Sequence, residues 1–272
     1  MGYFDTLIDK FTEDKELEQA FGKHIHWGYW ENPATATGTL TDFAVAANNL
    51  SKLVIEKAQI SDGVTLLDAG CGFGGTISLL NDTFSNLKLF GVNIDNAQVE
   101  RATALIKPQN HNQIQFINGN ACDLPDFSEL FDYAIALECI FAFPSREIFF
   151  QQVRKNLKSS GKLIVVDFII NPTISNFWTW FEAQVLSRLI TDTYGSKATY
   201  QVEFIGIKEY EKIANKTGFK LDKVIDINKN VQPTYPVINK LIVDNFNDWM
   251  TAKGLEIFSQ FNLINYQILV FK

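Results

Sequence analysis

A glycine-rich loop contains the residues of this chain whose spacing most clearly predicts chemistry. Residues 68–75 read DAGCGFGG and directly follow a short apolar run at residues 64–67. Glycines at such a place permit a tight turn and let a ligand approach the backbone, with the N-terminus of the following helix behind it. The spacing of Gly70, Gly72 and Gly75 also fits the dinucleotide fingerprint. The glycines therefore predict a nucleotide-like ligand without identifying it.

Asp68 distinguishes two classes of ligand. This carboxylate stands two residues before the first glycine, where it would repel the negatively charged pyrophosphate of NAD or FAD. S-adenosylmethionine carries no phosphate, and its ammonium and sulfonium groups are positive. Asp68 therefore favours S-adenosylmethionine, with the ammonium bound directly or through water. A carboxylate that only caps the loop is the alternative.

Four further segments follow the glycine loop at a recognisable spacing. Their sequences are FGVNIDNAQ at residues 90–98, NGNACDLP at 118–125, FDYAIALE at 131–138 and LKSSG at 157–161. Together with the loop, they resemble the class I S-adenosylmethionine-dependent methyltransferases, in the small-molecule group that includes tocopherol, sterol, sugar and natural-product enzymes. The resemblance covers most of the chain, and several motifs in order are more specific than any one of them.

Short apolar runs alternate with amphipathic stretches through the middle of the chain. This alternation predicts a parallel sheet covered on both faces, which is an α/β doubly wound fold. The predicted strands lie at residues 64–67, 88–92, 114–117, 133–137, 163–166, 219–227 and 266–271, and helical patterns follow Gly74, Asp95 and Pro144. The resemblance implies a Rossmann-like seven-stranded, mostly parallel sheet in the order 3-2-1-4-5-7-6, with the last strand antiparallel.

Segments outside this alternation predict a helical cover within one domain overall. Two helical stretches, at residues 5–20 and 39–58, flank an aromatic segment at residues 21–30. A second helical insertion is predicted from residue 236 to residue 261. The predicted divisions are an N-terminal helical cover at 1–60, the cofactor-binding core at 61–170, an aromatic helical insertion at 171–205, and the C-terminal part of the core at 206–272.

The resemblance implies cofactor contacts beyond Asp68, Gly70, Gly72 and Gly74. Asn93 stands where relatives place an acidic residue that binds the ribose hydroxyls, and an amide can accept from one hydroxyl and donate to another. Gln98 resembles a glutamine that some relatives use for the same ribose, although an exposed helix residue is the alternative.

Three more residues are implied at the following strand ends. Asn120 and Ala121 stand where the family contacts the adenine edge, through a side-chain amide and a backbone N–H. Glu138 follows the fourth strand and faces the crevice where doubly wound sheets bind ligands. It either binds the cofactor or orders the site, or it is a carboxylate at a helix start.

Ala142 is the main departure from the family pattern. Relatives that remove a proton from the acceptor often carry a histidine in a pattern such as ESIFHFP, whereas residues 138–144 of this chain read ECIFAFP. Either another residue takes the proton, or the acceptor arrives ionised, as a carboxylate does near pH 7. His26 and Asp167 are the predicted catalytic replacements. For His26, a packed structural role is the alternative.

Aromatic residues are predicted to surround the transferred methyl group. Trp27 and Tyr29 belong to a segment that in relatives closes over the cofactor, where they offer a cation–π face to the sulfonium or simply pack as a lid. Phe177, Trp178 and Phe181 would cover a largely apolar acceptor, such as an isoprenoid, a polyketide or a hydrophobic peptide product. A dimer interface or a buried insertion core would give the same composition, so a homodimer is an open alternative.

Composition excludes several partners. With 24 Lys+Arg against 31 Asp+Glu, the net charge of −7 lacks the basic footprint of nucleic-acid binding. No apolar run approaches the roughly 20 residues of a membrane span. Cys71, Cys122 and Cys139 are an odd set that fits a reducing compartment, so we expect a cytoplasmic protein. No metal site is predicted.

These observations lead to one functional hypothesis and three alternatives. The leading hypothesis is an enzyme that transfers a methyl group from S-adenosylmethionine to oxygen, in a hydroxyl or carboxylate, of a small and largely apolar natural-product-like acceptor. A C- or N-methyltransferase of the same family is the first alternative. A nucleotide-dependent dehydrogenase and a cofactor-binding protein without turnover are the others.

Overall fold

The computed structural model describes residue 11 and residues 14–174, 203–241 and 246–272. In this part of the chain, eight strands form one sheet with helices on both faces. The strands are β1 (Thr65–Ala69), β2 (Lys88–Asn93), β3 (Gln113–Asn118), β4 (Phe131–Leu137), β5 (Leu157–Ile170), β6 (Ile205–Gly206), β7 (Leu221–Asp226) and β8 (Ile264–Phe271). All seven predicted strands are therefore confirmed. β5 extends well beyond its predicted bounds of 163–166, whereas the ends of the other strands shift by at most two residues.

Short polar side chains cap the start of several helices. Thr39, Asp95 and Ser145 each accept a hydrogen bond from a backbone N–H three residues further on, at 3.2 Å, and so satisfy a donor that the helix itself leaves free. The helices are α1 (Lys15–Phe21), α2 (Leu40–Ala58), α3 (Gly75–Thr83), α4 (Asn96–Leu105), α5 (Arg146–Asn156), α6 (Ile207–Lys216), α7 (Asn228–Val231), α8 (Thr234–Leu241) and α9 (Phe246–Gln260). The second helical insertion thus begins before its predicted start at residue 236.

The strand order confirms the predicted topology. The long strands lie in the order β3-β2-β1-β4-β5-β8-β7, which is 3-2-1-4-5-7-6 once the two-residue β6 is set aside. β8 is antiparallel to both β5 and β7, as expected for the last strand. β6 was not predicted. It pairs in parallel with Ile169 and Ile170 at the end of β5, and two residues are too few to give a periodic signal.

β5 divides its side chains between two hydrophobic cores. Val166, Phe168 and Ile170 face the core shared with α2 and α3. Val165 and Ile169 face the core shared with α5 and α6. This division follows from the period of two along a strand. The face on which a side chain lies decides whether a residue at the end of β5 can reach a ligand.

The aromatic segment at residues 22–30, which we call the N-terminal strap, lies between α1 and α2 without regular structure. Backbone N–H groups of the strap fasten it to three helices. Gly28 donates to Thr234 Oγ1 on α8 at 3.0 Å, Tyr29 to the carbonyl of Ala46 on α2 at 2.8 Å, and Trp30 to the carbonyl of Asn230 on α7 at 3.0 Å. The strap is therefore held by contacts far apart in sequence.

Phe150 tests the core between the sheet and α5. Its ring is fully buried and lies 5.1 Å from that of Phe271 and 5.6 Å from that of Phe219. Phe150→Ala should lower the free energy of unfolding by about 3–5 kcal/mol, because it removes buried contacts and leaves a cavity. Urea denaturation measures this loss. Phe261→Ala is the control, since Phe261 is 71% exposed, and it should change stability by less than about 0.5 kcal/mol. Equal effects of the two variants would contradict this packing.

Candidate active site

The carboxyl ends of five parallel strands meet at one edge of the sheet. From β3 to β5 this edge carries Asn120, Asn93, Asp68 and Glu138, each at or just after a strand end, followed by the aromatic residue Phe168 on β5. Neighbouring strands lie roughly 4.8 Å apart, so the distance from β3 to β4 is about 14 Å. One elongated ligand can therefore contact all four polar residues.

The loop between β1 and α3 adopts a conformation that requires glycine. Gly70, Gly72 and Gly74 have φ values of +77°, +54° and +80°, in the left-handed region. A Cβ on Gly70 would lie 2.7 Å from Cys139 Sγ, and one on Gly72 would lie 2.8 Å from Ile25 Cδ1. The glycines therefore provide a tight turn, and the N-terminal strap lies directly against it.

Asp68 is a buried carboxylate without a protein partner in the described part of the chain. It is 3% exposed, and no hydrogen bond or ion pair reaches its side chain from the residues described. Burial raises the pKa of Asp68 to about 7, because desolvation disfavours the charged form. A carboxylate in this position is suited to a cationic ligand.

Asn93 and Gln98 form one hydrogen-bonded unit beside the glycine loop. Asn93 Nδ2 donates to Gln98 Oε1 at 3.0 Å, and Asn93 Oδ1 accepts from the backbone N–H of Asp95 at 3.0 Å. Gln98 is 3% exposed, so the alternative of an exposed helix residue is wrong. Gln98 Oε1 would lie 3.8 Å from a Cβ on Gly72. The structure thus brings together the two residues predicted for the ribose.

Asn120 and Ala121 lie in a tight turn after β3. Asn120 Oδ1 accepts from the backbone N–H of Cys122 at 2.8 Å, which fixes the side chain. Its Nδ2 and the N–H of Ala121 donate to none of the residues described. Both predicted adenine contacts are therefore oriented donors.

The geometry contradicts a role for His26 as the base. Its Nδ1 donates to the carbonyl of Trp27 at 2.9 Å, and its Nε2 lies 3.0 Å from His24 Nδ1 and 3.1 Å from Ser51 Oγ. Burial lowers the pKa of His26 to about 4, so the ring is neutral at pH 7. Ser51 also contacts Thr76 Oγ1 at 3.2 Å. His26 therefore fastens the strap to α2 and α3, which is the structural alternative.

Asp167, the second predicted catalytic residue, is held in a buried ion cluster at the end of β5, and its catalytic role stays a prediction. It is fully buried and faces the core beneath α5 and α6, because it follows Val166 and precedes Phe168 on β5. One oxygen accepts from the N–H of Phe168 at 2.9 Å, and the other accepts from the Tyr210 hydroxyl and lies 3.5 Å from Arg146 Nη2. Because alternate residues of β5 face opposite sides of the sheet, the side chains of Asp167 and Phe168 point in opposite directions.

Glu138 is the carboxylate that does face the site. Its Oε2 accepts from the N–H of Trp27 at 2.9 Å and from the hydroxyl of Tyr266 at 2.5 Å. Its φ of +53° is uncommon for a residue with a Cβ, and such backbone strain clusters at functional sites. Burial, with a smaller contribution from Asp167, raises the pKa of Glu138 to about 8, although both hydrogen bonds lower it. Oε1 accepts no hydrogen bond from the described residues.

Six aromatic rings pack against one another beside Glu138, on the side of β5 and β8, and we call them the aromatic wall. Ring centroids are 4.3 Å apart for Trp27 and Tyr235, 4.9 Å for Trp27 and Phe168, and 5.6 Å for Phe141 and Phe204. The wall consists of Trp27, Phe141, Phe168, Phe204, Tyr235 and Tyr266. The wall is a largely buried apolar cluster next to a carboxylate.

Sequence reasoning found only part of this wall. Trp27 was predicted and lies within it, whereas Tyr29 is half-buried and packs against the same core. Phe141, Phe168, Tyr235 and Tyr266 are not among the predicted site residues, and Phe204 is predicted only as part of the aromatic insertion at 171–205. The one available signal was the position of Tyr266 among the alternate buried residues of β8. Phe177, Trp178 and Phe181, predicted to touch the acceptor, lie outside the described residues.

Comparison with known proteins identifies the class of enzyme. The O-methyltransferase resE of Aspergillus sclerotiorum is 26% identical over 236 residues, which cover 86% of this chain and 82% of that protein. The 2-methyl-6-phytyl-1,4-hydroquinone methyltransferase of a Synechocystis strain is 29% identical over 234 residues, 84% of this chain and 68% of that protein. The crystal structure of the mycolic acid cyclopropane synthase CmaA1 with SAH and CTAB has a TM-score of 0.77 at 16% identity, covering 98% of this chain and 94% of that one.

The fold and these similarities define an S-adenosylmethionine-dependent methyltransferase. Residues 60–220 match the family described as a methyltransferase domain, and the chain belongs to that family. S-adenosylmethionine is its cofactor, and the dehydrogenase alternative is wrong. Among the residues that the structure describes, none of the helices has the length and apolarity to span a bilayer.

Asp68 gives a direct test of the cofactor site. If the ionised Asp68 carboxylate binds the cationic ligand, as the sequence predicts, the Kd of S-adenosylmethionine should rise roughly tenfold for each pH unit below about 7. Asp68→Asn should bind more weakly and lose this dependence. Calorimetric titrations between pH 5.5 and 8 measure both, at roughly half-unit steps across the Asp68 titration.

The same substitution should stabilise the cofactor-free protein at pH 8. The pKa of Asp68 is raised on folding, so ionisation costs stability as pH rises from about 4 to about 7, by at most on the order of 4 kcal/mol. Asp126→Asn is the control, since Asp126 is 97% exposed and should change neither binding nor stability. Unchanged cofactor affinity in Asp68→Asn would contradict the assignment.

Proposed function

We propose that this enzyme transfers the methyl group to the oxygen of a hydroxyl on a small, largely apolar acceptor, with Glu138 as the base. The observation that carries the proposal is the Glu138 carboxylate, which has one oxygen held by Trp27 and Tyr266 and the other without a described partner. The Glu138 carboxylate lies next to the aromatic wall. A hydroxyl group presented to that oxygen can give up its proton there.

The order of the strands supports a direction for the cofactor along the sheet edge. Asn120 and Ala121 would hold the adenine, Asn93 and Gln98 the ribose, and Asp68 the ammonium. When bound, S-adenosylmethionine supplies a methyl group bonded to a sulfonium sulfur. This sulfur is a good leaving group because it departs as a neutral thioether. Because β1 and β4 are neighbours, the reactive end would lie near Glu138.

The aromatic wall supports an apolar acceptor. Trp27, Phe168 and Tyr266 are less than a tenth exposed, and their faces offer dispersion contacts rather than hydrogen bonds. Such a wall excludes water from the reacting groups and holds the acceptor in place, so alignment and desolvation supply much of the acceleration. Trp27 and Tyr29 also offer aromatic faces to a cation. The net charge of −7 further supports a small molecule rather than a nucleic acid.

Glu138 also supports a hydroxyl over a carboxylate as the accepting group. An acceptor carboxylate would face a second carboxylate, and like charges at short range disfavour each other's ionised form. A hydroxyl instead donates to Glu138 Oε1. The absence of a histidine at Ala142 is then explained, because the proton is taken by a residue four positions earlier in the chain.

The relatives support this class of acceptor. One is named an O-methyltransferase, and another is named for a hydroquinone that carries a phytyl group. Methylation of carbon is the second candidate, because the structural neighbour is named a cyclopropane synthase. In that case the same base would take a proton released from the acceptor.

Glu138→Gln tests the base. With tritium-labelled S-adenosylmethionine and a panel of phenols and apolar alcohols, the wild-type rate should rise with pH up to about 8 and then level off, since only the ionised carboxylate accepts a proton. The variant should be slower by roughly 10²–10⁴-fold and lose this dependence. Glu147→Gln, which removes a surface ion pair with Lys216, should behave as wild type. A Glu138→Gln enzyme with an unaltered pH profile would refute the proposal.

Tyr266→Phe gives a second measurement on the same group. The Tyr266 hydroxyl lowers the pKa of Glu138 by donating to its charged form. Removing this hydroxyl should therefore shift the rise of the rate to higher pH, while the plateau rate changes little. A profile that stays in place, or moves to lower pH, would show that Glu138 does not control the titration.

A further inference from the structure

Arg146 is a buried cation with more partners than a single ion pair requires. It is the first residue of α5, only 5% exposed, and its guanidinium contacts three residues. Nε lies 3.2 Å from the Tyr210 hydroxyl, Nη2 lies 3.5 Å from Asp167 Oδ2, and Nη1 lies 3.0 Å from Glu203 Oε2. Nη2 also donates to the backbone carbonyl of Glu203. Two of these contacts therefore hold the same residue.

Glu203 is the first described residue after residue 174, and it stands two residues before the short strand β6. Its N–H donates to the carbonyl of Phe141 at 3.1 Å. Directly after it, Ile205 and Gly206 pair with Ile169 and Ile170 on β5. Arg146, Phe141 and the end of β5 thus hold residues 203–206 from three sides.

Phe204 lies inside this held segment. Its ring centroid is 5.6 Å from that of Phe141 and 5.4 Å from that of Phe168, and it is 6% exposed. Both neighbours belong to the aromatic wall beside Glu138. The position of this ring therefore depends on the backbone at residue 203, which Arg146 contacts directly.

The chemistry of arginine fits this task better than that of lysine. A planar guanidinium can donate in several fixed directions at once, whereas an ammonium is a compact charge on a flexible stem. A role limited to neutralising Asp167 would need one contact. The donors directed to Glu203 are in addition to that pairing.

We propose that Arg146 is a positioning residue for the acceptor, which holds Phe204 in the aromatic wall, and that Phe204 is a specificity-determining residue for the size of the acceptor. This inference rests on the proposed function for the acceptor side of the site, while the fastening of residues 203–206 is independent of the methylated atom. Asp167, on this account, helps to orient Arg146.

Arg154 provides a matched control on the same helix. It is also partly buried, it donates to the carbonyls of Leu157 and Lys158, and its guanidinium lies 4.7 Å from the Phe219 ring centroid. These contacts lie at the other end of α5. Arg154→Lys therefore disturbs a comparable packing environment without touching residues 203–206.

Hydrogen exchange on the enzyme with bound S-adenosylhomocysteine tests the fastening. In Arg146→Lys, the amides of residues 203–206 should exchange at least roughly tenfold faster than in wild type, because the local opening of this segment becomes easier. In Arg154→Lys they should not change. Unchanged exchange at 203–206 in Arg146→Lys would overturn the proposal. An equal increase over β1 to β4 would do so as well, since it would indicate a role in global stability alone.

Glu203→Gln provides a second test of the same contact, which can be used if the Arg146→Lys variant does not fold. The Glu203 side chain is 65% exposed, so its change to an amide should preserve the fold while weakening the bond to Arg146 Nη1. Exchange at residues 203–206 should again rise, by less than in Arg146→Lys. No rise in this variant would count against the proposal.

Steady-state kinetics with 4-alkylphenols of increasing chain length test the role in specificity. Phe204→Ala and Arg146→Lys should raise the KM for these phenols roughly tenfold or more, with kcat and the Kd of S-adenosylhomocysteine within about twofold of wild type. Phe204→Ala should also move the preferred chain length upward. If the variants have the same KM values for these phenols as wild type and the same preferred chain length, this role is refuted. If the wild-type enzyme methylates no phenol or alcohol, the proposed function fails, whereas the exchange experiment still decides the fastening.

Discussion

The arrangement of the site depends on the hydrogen bonds that the Glu138 carboxylate accepts. One of its oxygens receives the N–H of Trp27 from the strap and the hydroxyl of Tyr266 from β8, 111 and 128 residues away in the chain. Taking a carboxylate out of water is costly unless hydrogen bonds compensate for it. These two donors do so at one oxygen, and in doing so they orient both the strap and the aromatic wall around the other.

Strand parity separates this site from the ion cluster beneath it. Phe168 points toward Glu138 and the wall, while Asp167, one residue earlier, points to Arg146 and Tyr210 on the opposite face of the sheet. The two systems also meet at the rim of β5, where Glu203 contacts Arg146 and Phe204 packs against Phe168. A charge on one face can therefore influence the acceptor site on the other through the backbone it holds.

The sequence predicts those features that depend on local pattern. The strands, the glycine loop and the place of Asp68 follow from residues within a few positions of one another. The strand order and the places of Asn93 and Gln98 are implied by the resemblance to the family, and the structure brings all three side chains to one edge. The roles of His26 and Asp167 could not be predicted, because their partners Ser51 and Arg146 lie 25 and 21 residues away. Nothing local distinguishes a histidine that binds a serine from one that takes a proton. Glu138 was predicted at the right place, but the donors that define its role are more distant still.

The proposed function is tested most directly by determining which atom of the acceptor carries the transferred methyl group. The enzyme would be given S-adenosylmethionine labelled with ¹³C in the methyl group and an apolar phenol, and the product would be analysed by carbon–proton correlation NMR. The account predicts a labelled methyl ether, with the methyl carbon bonded to oxygen. A labelled methyl group bonded to a ring carbon, or to nitrogen in an amine-bearing acceptor, would contradict it.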